Sequence, residues 1–532
     1  MRLLHRCSCG FNCSRWNIYN RISRWCALSL GQCYAIALQG LSGSLVTVEA
    51  DIADGLPMYA LLGLPDTALS ESRDRVRAAL VNCLETWPNK KVTVSLSPAW
   101  LPKSGSSFDL SIAIALLAAN GTIPNQSHAD TVFLGELALD GAIRSIRGVL
   151  PSLIAAYGAG VLTAVVPLEN LAEAELMTHM KVIGMSHLNE VLRWLRTGTR
   201  EEHPELDLHF DVDDAYDFSD VAGQPLARRA AEIAATGGHH LLLIGPPGAG
   251  KTMIADRIPT ILPPLTIDQA LEVTAVHSIA GALTSRSPLS LTAPIVAPHH
   301  SATRVAMVGG GSHVIRPGAC SLAHHGVLFI DEAPECGPGI LDALRQPLES
   351  GTISIARSIG NMTFPARFLL VLAANPCPCG KFAGRGRGCT CTSIQVRRYL
   401  GKLSGPLMDR IDLRVQVDPV GRVDMARTEL GESSALIRER VIAAREVAAT
   451  RFAHESWKVN SQIPSRALRT TYQSEKSAMN FLHDELDRER LTARGLHKVM
   501  RVSWTLADMK GHPRPTLEDV QEAHGLREGI EM

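Results

Sequence analysis

The segment GPPGAGKT, spanning Gly245, Pro246, Pro247, Gly248, Ala249, Gly250, Lys251 and Thr252, has the spacing G-x-x-x-x-G-K-[ST]. Each part suits a chemical need. The glycines let successive backbone N–H groups curl around a phosphate, and Lys251 can reach the outer phosphates. Thr252 can offer its hydroxyl to Mg²⁺ at a helix N-terminus, whose dipole favours the anion. The segment GVLFIDE ends in Asp331 and Glu332. Four apolar residues predict a buried strand beside the strand of the phosphate loop, with two carboxylates at its end. Asp331 would hold Mg²⁺ through water, and Glu332 would orient or deprotonate the attacking water. A third apolar run, FLLVLAAN, ends in Asn375. A polar tip there can place water against the γ-phosphate, and the strand order is expected to set it beside Asp331.

Directly after Asn375 come two C-x-C pairs, Cys377/Cys379 and Cys389/Cys391, separated by the basic, glycine-rich KFAGRGRG. Four thiolates at this spacing could close a tetrahedral Zn²⁺ site, or they could form a plain reduced loop. Residues 381–410 carry Lys381, Arg385, Arg387, Arg397, Arg398, Lys402 and Arg410 against one acid, Asp409. Such loops suit contact with a phosphate backbone without reading of bases. MVGGGSHV (307–314) is a second candidate substrate contact, while the paired His299 and His300 read as structural or substrate-loop residues rather than metal ligands.

The elements needed to position these residues are legible. HLLLIG, GVLFID and RFLLVLAAN read as strands, each followed by loop or helix signals. That alternation predicts an α/β unit with a parallel sheet, over about 220–420. Before it, residues 34–200 alternate strands such as SLVTVEADI with helical patterns such as FDLSIAIALLAA, a second α/β or α+β domain. Between the two, residues 201–219 are acidic and lack hydrophobic periodicity, which predicts a linker. Residues 433–532 are helical throughout. Residues 1–33 belong to a stretch without Asp or Glu up to Val48; they read as a disordered tail or as residues upstream of the true start.

Bulk composition narrows the class. The 532 residues hold 53 basic and 53 acidic side chains, so no global field draws the chain to nucleic acid or membranes. No window is apolar enough for a membrane span. Twelve cysteines beside a nucleotide motif suit a reducing cytoplasmic setting better than disulfides.

The whole pattern resembles the AAA+ ATPases, and more narrowly the magnesium-chelatase-like family of the ComM/YifB type. The matching stretches are DVAGQ, APHHSATRVAMVGGGSHVIRPGACSLAHHGVLFIDEAPE, LRQPLESG, LAANPCPCG, SGPLMDRIDL and LTARGLHKVMRVSWTLADM. The likeness covers nearly everything after about residue 30. It implies ATP and Mg²⁺ as cofactors, a helical lid at the C-terminus and a homohexameric ring. It makes Arg410, in LMDRID, an arginine finger for the neighbouring subunit's ATP. Arg494, in LTARGLHKV, becomes a nucleotide-sensing arginine of the lid, with Arg501 as its rival. The first domain resembles the proteolytic domain of Lon. Ser107 falls at the nucleophile's position, but Ser152 stands where the general-base lysine belongs, and Lys103 does not occupy that place. Without an amine of lowered pKa a serine is a poor nucleophile, so a scaffold without peptidase activity is expected. By resemblance the activity is movement of single-stranded or branched DNA, as a helicase or branch-migration factor in recombination of incoming DNA. A chelatase-type remodelling subunit and an ATP-dependent protease are the competing readings. Chelatase motor subunits lack a Lon-like domain, and the missing lysine opposes the protease.

Overall fold

The computed structural model describes residues 30–124, 128, 130–199, 216–283, 288–311, 315–337, 339–357, 360–382, 388–421 and 431–529. Most of the N-terminal stretch, residues 201–215 of the acidic segment, Arg385 and Arg387, and residues 312–314 lie outside them.

The first domain is built on a mixed seven-stranded sheet in the order β3-β4-β2-β1-β5-β8-β9. Its strands are β1 (Leu30–Gln39), β2 (Ser42–Ala53), β3 (Met58–Leu62), β4 (Lys91–Ser97), β5 (Thr131–Phe133), β8 (Thr163–Pro167) and β9 (Lys181–Met185); β6 (Glu136–Leu137) and β7 (Ile143–Arg144) pair separately. Alternation drives β2: Val46, Val48 and Ala50 are fully buried, while their neighbours are partly exposed. β1 begins at Leu30 and buries Cys33 against the helices, so the folded domain reaches back to Leu30. The apolar run 30–39, with Gln32 exposed and Gly31, Cys33, Ala35 and Ala37 buried on the opposite face, is a strand paired antiparallel with β2. Helices α1 (Ser72–Asn82), α2 (Asp109–Ala119), α3 (Val149–Gly158) and α4 (Leu188–Thr197) cover the sheet. Every residue of α2 is buried, as expected for a helix apolar on all sides.

The second domain holds a five-stranded, all-parallel sheet ordered β11-β12-β15-β10-β16. These are β10 (Leu241–Ile244), β11 (Ile295–Val296), β12 (Val327–Ile330), β15 (Leu369–Ala374) and β16 (Leu413–Gln416); β13 (Thr352–Arg357) and β14 (Gly360–Pro365) form a hairpin apart. All six residues of β15 are buried, the mark of a strand covered on both faces. This order corrects one expectation. The strand that ends at Asp331 does not lie beside the phosphate-loop strand β10, because β15 sits between them. Fully apolar runs do not encode which neighbour they take, so the order was decided by packing.

Helices α5 (Pro225–Gly237), α6 (Lys251–Ile261), α7 (Ile267–Ala280) and α8 (Ser393–Leu400) surround this sheet. The lid comprises α9 (Ser434–Arg451), α10 (Lys476–Asp487), α11 (Ala493–Lys510) and α12 (Leu517–Glu528), and it shares one hydrophobic core with α5, α6 and the sheet. The last acidic residues before α5 join the same body. Asp217 and Asp220 close a capping box, Phe218 is fully buried, and Arg257 of α6 bonds both the Asp217 carbonyl at 2.8 Å and Asp220 at 2.8 Å. The first domain touches the second through α3 and α7, where Gly148 N–H donates to Ser278 Oγ at 2.9 Å and Ser278 Oγ donates to Glu173. No helix among the described residues is long and apolar enough to cross a membrane.

Candidate nucleotide site

Strand β10 delivers the phosphate loop and α6 continues from it. Gly245 leaves the sheet by donating to the Ala374 carbonyl at 3.1 Å. A Cβ there would stand 2.2 Å from the Val417 carbonyl oxygen, so only glycine lets the loop start so close to the chain following β16. Gly248 (φ +77°) and Gly250 (φ +91°) adopt the left-handed region that frees the backbone N–H groups to turn inward. Gln224, of the DVAGQ stretch, fastens the loop from outside by donating to the carbonyls of Ala249 (3.1 Å) and Asp418 (2.5 Å).

The side chains converge from three strands. Lys251 is buried, and its Nζ donates to the carbonyls of Gly245 (2.6 Å) and Pro246 (3.0 Å) and to Asn375 Oδ1 (3.2 Å). Burial pulls its pKa below the ordinary lysine value, while Asp331 and Glu332 oppose that pull. Thr252 Oγ1 donates to Asp331 Oδ2 at 2.9 Å. A hydroxyl and a carboxylate so placed are hard oxygen donors suited to Mg²⁺. Asn375 sits at the end of β15, whose neighbour β12 leads to Asp331, so the two strand tips are adjacent. Tyr399 of α8 lies against the Asn375 backbone; burial pushes its phenol up to about 12.

Glu332 is held in the left-handed region at φ +48°, a conformation uncommon for a non-glycine residue and found at functional turns. Its N–H donates to Asp331 Oδ1 at 2.8 Å. His300 Nδ1 lies 3.2 Å from Glu332 Oε2, and the His299 ring lies against His300, tilted by 34° with centroids 4.1 Å apart. The sequence places this pair in a structural or substrate loop. The contact of His300 with the carboxylate emerges only when the loop after β11 folds beside β12, and no local spacing signals it.

Arg410 stands apart from this cluster. Its guanidinium pairs with Glu349 and donates to the Pro406 carbonyl at 2.5 Å. Among the described residues it makes no hydrogen bond or ion pair with Lys251, Thr252, Asp331, Glu332 or Asn375. The lid grips the chain around it. Arg494 Nη1 lies 3.7 Å from Asp409, Lys498 Nζ bonds the Arg410 carbonyl (3.1 Å) and Asp412 (2.8 Å), and Arg527 bonds the Ile411 carbonyl (2.9 Å). The Arg494 side chain is 69% exposed, whereas Arg501 is half-buried and committed to the Ile463 carbonyl at 2.8 Å.

In the first domain, Ser152 is buried with its hydroxyl donating to the Gly148 carbonyl at 2.7 Å, and the Lys103 amine donates to the Pro98 carbonyl. Arg397 and Arg398 are exposed on α8, and Lys402 pairs with Glu335 at 3.2 Å. The four cysteines of the C-x-C pairs converge between the end of β15 and the start of α8.

Comparison with known proteins agrees with this geometry. Residues 217–425 match the family "Magnesium chelatase, subunit ChlI", residues 48–170 match "Subunit ChlI of Mg-chelatase", and residues 431–527 match "Magnesium chelatase, subunit ChlI C-terminal". The chain is 47% identical over 501 residues to an uncharacterized protein of Mycobacterium tuberculosis, covering 94% of this chain and 99% of that one. It is 37% identical over 515 residues to competence protein ComM of Haemophilus influenzae, covering 95% and 99%. Over 175 residues it is 28% identical to Lon protease of Syntrophomonas wolfei, 31% of this chain and 21% of that one. A phosphate loop, a paired carboxylate strand and a polar strand tip on one parallel sheet, with a Lon-like domain before and a helical lid after, place the chain in the magnesium-chelatase-like AAA+ family of the ComM/YifB type.

Proposed function

We propose that this protein is an ATP-driven ring motor that moves single-stranded or branched DNA without sequence specificity. The observation that carries the reading is the convergence of Lys251, Thr252, Asp331 and Asn375 within hydrogen-bonding distance across the sheet. Thr252 and Asp331 would hold Mg²⁺, which supplies charge neutralisation on the phosphates. Lys251 adds a buried cation to the same place, Asn375 orients the water, and Glu332 accepts its proton, held by His300. The phosphate-loop residues Gly245 to Gly250 cradle the anion with backbone N–H groups.

Arg410 acts in the neighbouring subunit's site, which requires a homohexameric ring; its commitment to Glu349 and Pro406 rather than to its own subunit's cluster, among the described residues, supports this. Arg494, exposed at the lid edge, senses nucleotide. DNA binding rests on the exposed Lys381, Arg397 and Arg398, with Arg385 and Arg387 of the same segment. The relative named a competence protein supports helicase or branch-migration work on incoming DNA in the cytoplasm, as in natural transformation. The Lon-like domain, which begins at Leu30, serves as a peptidase-inactive scaffold, and the acidic stretch ahead of Asp217 as a linker. Residues 220–420 are the motor and 433–532 the lid.

The test is the ATPase rate with and without forked or single-stranded DNA, beside unwinding of a branched duplex and a casein control. Stimulation with unwinding is the expected result. A rate indifferent to DNA and no unwinding would sink the DNA motor and leave the chelatase-type reading. Casein cleavage abolished by Ser107→Ala would restore the protease.

A further inference from the structure

The four cysteines after β15 form a set the motor chemistry does not use. Cys377 Sγ lies 3.3 Å from Cys379 Sγ and 3.6 Å from Cys389 Sγ, and Cys379 and Cys389 are 3.6 Å apart. With Cys391 added, all four sulfurs fall within 4.8 Å of one another. A tetrahedral site with Zn–S bonds of about 2.3 Å places its sulfurs about 3.8 Å apart, so the separations among Cys377, Cys379 and Cys389 lie close to that shell and Cys391 stands within reach of it. None of the four forms a disulfide. Cys377 is fully buried and the other three are half-buried, which encloses the centre but leaves a path for an ion.

The surroundings are specific. Cys377 follows Asn375 by two residues, and a tight turn closes with Gly380 N–H on the Cys377 carbonyl at 2.9 Å. Gly380 takes φ +72°, and a Cβ there would stand 2.6 Å from Pro247 Cδ, so the turn leans on the phosphate loop itself. At the other arm, Cys391 precedes Thr392, whose side chain caps α8 in a capping box with Gln395. We propose that Cys377, Cys379, Cys389 and Cys391 bind one structural Zn²⁺ as four thiolates, clasping the end of β15 and the phosphate loop to the start of α8. Four thiols release four protons as the ion binds, with no change of oxidation state. The clasp fixes α8, which carries Arg397 and Arg398, against the strand that ends in Asn375. It stands whether or not the motor acts on DNA.

The experiment is elemental analysis of the full-length protein purified without chelator, with Cys379→Ser and Cys389→Ser beside Cys336→Ser as a control outside the set. One zinc per chain is expected in the wild type and Cys336→Ser, and its loss in the other two. Cobalt exchanged into the wild type should give the intense thiolate-to-metal absorption of a tetrahedral four-sulfur site. Should a serine variant not fold, titration of the wild type with a mercurial reagent decides the matter. Zinc released in step with thiol modification, and read by a chromophoric chelator, supports the site. Wild-type protein with far less than one zinc per chain, or zinc retained in Cys379→Ser and Cys389→Ser, overturns it.

Discussion

Lys498 of the lid helix forms one half of a buried ion pair outside the nucleotide site. Its ammonium meets Asp412 at 2.8 Å, and Asp412 is 1% exposed. Burial alone would push that carboxyl up; Lys498, with His239 and His240, outweighs burial and holds it below the usual carboxylate range. Removing one member of a buried pair typically costs about 3–5 kcal/mol, because the other charge is left uncompensated. Asp412 would keep the His240 N–H at 3.0 Å, so the lower end, about 3 kcal/mol, is expected for Lys498→Met.

The pH dependence gives a signature. In the wild type the depressed Asp412 contributes stability that is present above its unfolded pKa and is lost as pH falls through the folded value. In Lys498→Met burial dominates, so the carboxylate penalises folding at pH 7 and acid relieves it. His239 and His240, which burial pushes down to about 4, face the same carboxylate and lose a repelling cation in the variant, which acts in the same direction. Arg501 and Arg527 remain nearby in both proteins. The gap between wild type and variant, read by urea unfolding of the motor and lid, should therefore be widest near pH 7 and narrow toward pH 4. Adding Asp412→Asn should recover part of the loss, with a coupling of roughly 1–3 kcal/mol in the double-mutant cycle. A loss below about 1 kcal/mol at pH 7, or a gap that widens in acid, would refute the reasoning.

Three further outcomes follow from the site. Glu332→Gln should keep ATP binding and slow phosphate release by about 10²–10⁴, the range for a lost general base; a near-normal rate removes Glu332 from that role. Arg410→Ala should also bind ATP but lose hydrolysis by about 10³ or more, and mixing it with Lys251→Ala subunits should restore part of the rate. Absence of any recovery on mixing would place the arginine's action within its own subunit. Gly245→Ala must push the Val417 carbonyl away from a 2.2 Å contact, so thermal unfolding should show a loss of about 1–3 kcal/mol together with weakened nucleotide binding; an unchanged melting curve contradicts the close approach.

The phosphate loop was readable because its chemistry is local: glycines at fixed offsets, a lysine and a hydroxyl before one helix. The carboxylate strand and the asparagine tip were readable for the same reason, as an apolar run ending in a polar residue. Strand order was not. Runs such as VLFI and LLVLAA are buried on both faces and carry no register signal, so β15 entering between β10 and β12 is a decision of packing. The N-terminal edge of the first domain was blurred because Gly31 and the glutamines at 32 and 39 interrupt the apolar run, although Gly31, Cys33, Ala35 and Ala37 line its buried face.

By itself, then, the sequence determined the two α/β units, the C-terminal helices and the glycine-rich loop with Lys251 and Thr252 that opens α6. Only the tertiary structure decided which distant groups share one place: His300 on Glu332, Lys498 on Asp412, and four sulfurs gathered from two arms. The reason is physical. Backbone-determined motifs act over a few residues, where spacing along the chain is spacing in space. Contacts between elements depend on how whole faces pack, and no single segment encodes that.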